Sequence, residues 1–201
     1  VIMNPQNIQV LVGIGLASAV VSLSTPAQNP NSPEGRFSVT RSACGVHVAD
    51  DGLRAVGSSY RVEFQDDFVR FVPALGRRAP QSYPINLVTT TLARGEHVRV
   101  SGERHSERAR EFDEREVRFL HSPAITELWR ARPDGVELAY RFDAPPAGEG
   151  DLIVSLRFDT DLVGTRDGEG LAFRAEGGFG GVRVGAVTGI DADGRSVPGT
   201  I

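Results

Sequence analysis

The residues through which this chain could do chemistry are few and scattered: four histidines, one cysteine and several short runs of aspartate. His47, His97, His105 and His121 form no HxH, HExxH or His-x3-His pattern, the spacings that would set two imidazoles side by side, so zinc ligation is not indicated. His47 and His97 fall within alternating stretches, where an exposed or hydrogen-bonded imidazole is the ordinary role. Cys44 has no second thiol in the chain to pair with, and it reads as a small hydrophobe rather than a reactive group. All 22 basic residues are arginine, which removes Schiff-base chemistry and the lysine of a phosphate loop. No GxSxG elbow is present, and Ser106 beside His105 or Ser122 beside His121 says nothing about a triad in space.

Carboxylates gather at Asp50 and Asp51, Asp66 and Asp67, Asp159 and Asp161, and Asp191 and Asp193. Calcium takes several hard oxygen ligands from one tight loop, which makes these pairs worth testing against its spacing. The last cluster starts like a calcium loop, yet Arg195 holds its fifth position and the twelfth is not reached. Hairpin turns account for the aspartates more simply. Two carboxylates acting as acid and base remain an alternative, but their separation of ~5–9 Å is not encoded in sequence spacing. The glycine run from Glu176 to Val182 has no following lysine and no GxGxxG register, so it reads as a flexible hairpin between two strands. Trp129 is the single indole and hence the one candidate ligand-binding residue, as a stacking platform for sugar; core packing is its competing role. No catalytic, metal-binding or cofactor-binding residue is assigned, and no cofactor is expected.

The elements that would position these groups are strands. Of 201 residues, 23 are Gly and 12 are Pro, which predicts many turns. Apolar and polar residues alternate at Arg36 to Thr40, Tyr60 to Phe64, Phe68 to Val72, Ile85 to Ala93, His97 to Val100 and Val117 to Leu120. The alternation continues at Ile125 to Ala131, Val136 to Phe142, Leu152 to Phe158, Leu171 to Arg174 and Val182 to Val184, about a dozen strands in all. Asp51-Gly52, Asp134-Gly135, Asp167-Gly168 and Asp193-Gly194 are hairpin signals. No helical pattern alternates with the strands, so an all-β, antiparallel β-sandwich is predicted. Glu103 to Arg118, dense in both charges, reads as a solvated connection whose end enters a strand at Val117, with a short exposed helix as the alternative.

Ile8 to Leu23 is a 16-residue apolar run without a charge, short of the roughly 20 residues of a spanning helix. Thr25 and Ala27 fit the small-residue positions of a cleavage site, although no Arg or Lys precedes the run. The expected organisation is therefore a signal peptide over 1–27, a linker over 28–35 and a β-sandwich domain over 36–201, with a candidate subdivision near 103–114. A secreted or envelope protein with no membrane span in its mature form follows. A net charge of −4 gives no basic footprint for nucleic acid.

The stretches EVRFLHSPAITELWRARPDGVELAYRF, AGEGDLIVSLRF, DGEGLAFRAEGG and VGAVTGIDADGRSVPG, within Glu114 to Ile201, resemble the all-β N-terminal domain ahead of propeller arrays in exported bacterial proteins of the FG-GAP (integrin α-like) and seven-bladed β-propeller repeat families. The resemblance extends over roughly Phe37 to Ile201 and transfers no catalytic residue. It implies a non-enzymatic accessory or structural domain that mediates protein contact at the envelope or outside the cell, its partner being downstream propeller repeats or an envelope protein. A carbohydrate-binding module and a carboxylate-dependent hydrolase are the alternatives.

Overall fold

Period-two alternation takes physical form as sixteen strands in a computed structural model that describes residues 8–16, 44–50, 52–101, 110–144 and 146–201. The strands expected at Arg36 to Thr40, the linker, the cleavage site and the first part of the charged stretch lie outside the described residues. In chain order the first six strands are β1 (Ile8–Leu16), β2 (Gly45–Ala49), β3 (Gly52–Val56), β4 (Tyr60–Phe64), β5 (Val69–Pro73) and β6 (Ile85–Arg94). They are followed by β7 (His97–Ser101), β8 (Arg110–Phe112), β9 (Glu116–Ser122), β10 (Ile125–Arg132) and β11 (Gly135–Phe142). The last five are β12 (Leu152–Asp159), β13 (Val163–Asp167), β14 (Gly170–Arg174), β15 (Gly181–Ile190) and β16 (Ser196–Pro198). Among the described residues every regular element is a strand, so the all-β expectation holds. The end of the charged stretch is the β8–β9 hairpin rather than a helix.

Two antiparallel sheets result. One has seven strands in the order β12-β6-β5-β4-β3-β2, with β7 also paired to β6. The other has nine, in the order β13-β14-β15-β1-β11-β10-β9-β8, with β16 paired to β15. The Asp-Gly signals sit where the chain reverses between β2 and β3, β10 and β11, β13 and β14, and β15 and β16. Gly168 and Gly194 turn with φ of 62° and 79°, which a Cβ would resist.

The inner faces follow from parity. Tyr60, Val62 and Phe64 of β4 are buried while Arg61 and Glu63 between them are not. Across the sandwich, Val136, Leu138, Tyr140 and Phe142 of β11 are buried at every second position. The rings of Phe64 and Trp129 meet edge to face at 6.5 Å, and those of Phe158 and Phe173 lie tilted to each other at 4.9 Å, each pair joining one sheet to the other. Full burial of a side chain such as Phe64 is worth about 1.5–3 kcal/mol relative to exposure. Two polar contacts close one side of the sandwich: the Val46 amide donates to the Glu114 carbonyl at 2.8 Å, and the Arg110 guanidinium to the Phe64 carbonyl at 3.0 Å.

Of the N-terminal apolar run the first nine residues are described, and they form β1, antiparallel to β11 on one side and β15 on the other. The physical reason lies in the residue order. Ile8, Val10, Val12 and Ile14 alternate with Gln9, Leu11, Gly13 and Gly15, and they stand in register with Phe142, Tyr140, Leu138 and Val136. β-Branched residues at period two suit a strand as well as a uniform apolar run suits a leader.

Candidate functional site

Between the sheets, one inner-face row carries polar groups where the pattern calls for apolar ones. Glu127 of β10 shares parity with Ile125, Trp129 and Ala131 and is only 3% exposed. A carboxylate there must be met by donors, because an unpaired buried charge is costly. Its Oε1 accepts from Trp129 Nε1 at 2.7 Å, and its Oε2 accepts from Thr89 Oγ1 at 2.7 Å and lies 2.8 Å from His121 Nε2. The Thr89 hydroxyl also lies 2.6 Å from the Tyr140 hydroxyl. Thr89 comes from β6 of the seven-stranded sheet and the other four residues from β9, β10 and β11 of the nine-stranded one, so the cluster links the two layers.

This arrangement corrects the reading of Trp129 as a sugar platform. Its indole is 1% exposed, its edge is set against Phe64 and its N–H is engaged by Glu127, so no face is presented to a ligand. His121 is the histidine drawn into the cluster, with its side chain 2% exposed, whereas His47 and His97 are exposed and His105 lies outside the described residues. The signal for the cluster was in the sequence as parity: Thr89, Glu127 and Tyr140 fall in step with the apolar residues of their strands.

A second buried carboxylate, Glu116 of β9, faces the other way. It pairs with Arg118 at 2.7 Å and Arg130 at 2.6 Å, and Arg130 and Arg132 then reach Glu137 at 2.8 and 2.6 Å. This ladder runs across β9, β10 and β11 on the outer face, while Glu127 is on the inner one. These two glutamates therefore lie on opposite faces of the nine-stranded sheet. At the β8–β9 turn, Asp113 accepts from the amides of Arg115 at 2.9 Å and Glu116 at 3.0 Å and pairs with Arg118 at 2.8 Å. The Arg115 amide, followed by Arg118 and the Glu116 amide, holds its carboxyl below the usual range.

The remaining clusters are structural where they are described. The Asp191 carboxylate accepts from the amides of Asp193 at 3.0 Å and Arg195 at 2.8 Å, closing the turn between β15 and β16. Asp66 and Asp67 are exposed at the turn between β4 and β5, and Asp51 is outside the described residues. Cys44 is half-buried against the core, its Sγ 3.5 Å from the Tyr60 hydroxyl, which donates to the Arg132 carbonyl at 2.6 Å. Burial, then the neighbouring thiol, pushes the Tyr60 hydroxyl above its ordinary value. Among the described residues, no group of three or more His, Cys, Asp or Glu could hold a metal ion, and no helix is long and apolar enough to cross a membrane. The glycine run closes the turn between β14 and β15, where a shallow cavity of about 240 Å³ is lined by Leu75, Arg78, Gly177, Gly178 and Phe179.

The outer rims of the sheets carry a different feature. The strands that end the two sheets, β2 and β12 in one and β8 and β13 in the other, bear exposed Val48, Ile153, Phe112 and Val163. The class that fold and cluster define is an antiparallel β-sandwich with a buried polar link and apolar residues on its edge strands. Comparison with protein-family models, with curated proteins and with solved structures returns no match in any of the three.

Proposed function

We propose that the chain is an exported, non-enzymatic accessory domain that mediates protein contact at the bacterial envelope or outside the cell. The observation that supports this reading is the placement of exposed apolar residues on the edge strands, with Val48 of β2 69% exposed and Ile153 of β12 53% exposed. An edge strand offers unpaired backbone donors and acceptors, and an apolar side chain beside them adds area to bury when a second module docks. The resemblance of Glu114 to Ile201 to domains that precede propeller arrays gives the neighbour its character: a propeller blade, or an envelope protein, seated on a sheet edge. Export is the reading given to the apolar run and to the Thr25-Pro26-Ala27 boundary.

The test is expression of the chain with and without any reading frame that follows it, with melting temperature and turnover as readouts. A docked neighbour raises the melting temperature by several degrees, roughly what 1–2 kcal/mol does for a domain of this size. Val48→Asp with Ile153→Asp removes the gain. An unchanged melting temperature overturns the docking reading. Hydrolysis of a polysaccharide or ester that is lost on substituting one Asp or Glu, at preserved fold, overturns the non-enzymatic one.

A further inference from the structure

Strand β1 holds the nine-stranded sheet in one piece. Its neighbours β11 and β15 touch through it alone in the strand order: without it the sheet divides into β8 to β11 on one side and β13 to β16 on the other. Because β1 is antiparallel to both neighbours, those neighbours run parallel to each other, and they are two strand spacings apart, about 10 Å. Zipping them together directly would require one four-stranded half to slide across the core. Both facing edges are long. β11 offers Gly135 to Phe142 and β15 offers Val182 to Ile190, with a bulge at which Gly185 and Ala186 stand opposite Gly13.

The residues along this slot define what it accepts. On β11 the inner row is Val136, Leu138, Tyr140 and Phe142, and on β15 it includes Val182 and Val184, all buried. The segment that fills it has Ile or Val at each of the four register positions opposite the β11 row. Main-chain hydrogen bonds on two sides supply affinity without reading sequence, and alternate side-chain positions supply selectivity.

We propose that the slot between β11 and β15 is a strand-acceptor site, filled by Ile8–Leu16 in the uncut chain and, after cleavage behind Ala27, by an extended segment of the partner protein with aliphatic residues at every second position. The inference rests on the export and contact reading above for its second occupant, and on the β1 register for its first. It adds to docking at an outer rim the insertion of a strand at the centre of the sheet.

The experiment uses the full chain with a protease site introduced directly after Ala27. The folded protein is cut in the presence of a labelled peptide of sequence IQVLVGIGL, and binding is followed by fluorescence anisotropy. The cut chain is expected to take up one peptide per molecule, the uncut chain to bind roughly 100-fold more weakly because its slot is filled, and a peptide carrying Val10→Asp and Val12→Asp to lose a similar factor. Equal binding by cut and uncut chain, indifference to the two aspartates, or a cut chain that unfolds and is not rescued by the peptide overturns the proposal. Hydrogen exchange on the uncut chain gives an independent check: the amides of β11 and β15 that face β1 are protected, and exchange at the rate of exposed edges overturns the first occupant. Mass spectrometry of the exported protein separates the two readings. Retention of residues 8–16 defeats cleavage while leaving the peptide result intact.

Discussion

In the seven-stranded sheet, β2 to β5 pair with their neighbours in sequence through short turns, β6 pairs with β5 after the longer connection 74–84, and β12 joins from farther away. In the nine-stranded sheet, two such meanders are joined by a strand from the opposite end of the chain, β1. Local hairpins close with little loss of chain entropy, whereas a strand inserted between distant partners has to find both after they have formed. Apolar residues of similar character therefore carry different weight in the two sheets. Val48 lies on an edge and is exposed, while Val12 stands in register with the fully buried Leu138 and with Val187.

The largest expected effect breaks this comparison directly. Val12→Asp in the full chain places a charge in the central register and is expected to cost about 4 kcal/mol in urea unfolding, while Val48→Asp stays within about 0.5 kcal/mol. Equal costs would mean that β1 contributes no more than an edge strand. Next in size is the link between the layers. Glu127→Ala removes the acceptor for Trp129 Nε1 and Thr89 Oγ1, at a cost of about 3 kcal/mol, with a changed near-ultraviolet circular dichroism signal from Trp129. Glu127→Gln, which keeps the shape and one acceptor, costs about 1 kcal/mol. A silent Glu127→Ala would mean that the apolar contacts and the polar contacts at the side of the sandwich join the sheets without it.

The smallest effect is on the outer surface. Since the Asp113 carboxyl is held below its ordinary value in the folded protein, its contribution is present above about pH 4 and is lost as pH falls through the lowered folded value. Solvent screening at this half-exposed turn keeps that contribution below about 1 kcal/mol. Asp113→Asn is expected to flatten the acid limb of the stability profile while leaving stability at the acid extreme unchanged; acid unfolding of the two proteins checks it.

Alternation at Tyr60 to Phe64, Ile85 to Ala93, Ile125 to Ala131 and Val136 to Phe142 placed strands where the sheets have them, because one buried face imposes a period of two that the sequence must carry. The hairpin turns were equally legible in Asp134-Gly135, Asp167-Gly168 and Asp193-Gly194, since few residues tolerate the backbone that a tight reversal needs. Parity also put Thr89, Glu127 and Tyr140 on inner faces. What parity does not carry is the pairing among them: Thr89 meets Glu127 only because two sheets pack face to face, and Trp129 could have faced sugar or core on the same strand. β1 shows the limit most clearly. An apolar run with glycines suits a leader and a strand alike, for both demand the same residue types; that Ile8–Leu16 pairs on both sides is decided by two distant edges whose unpaired backbone groups need a strand between them.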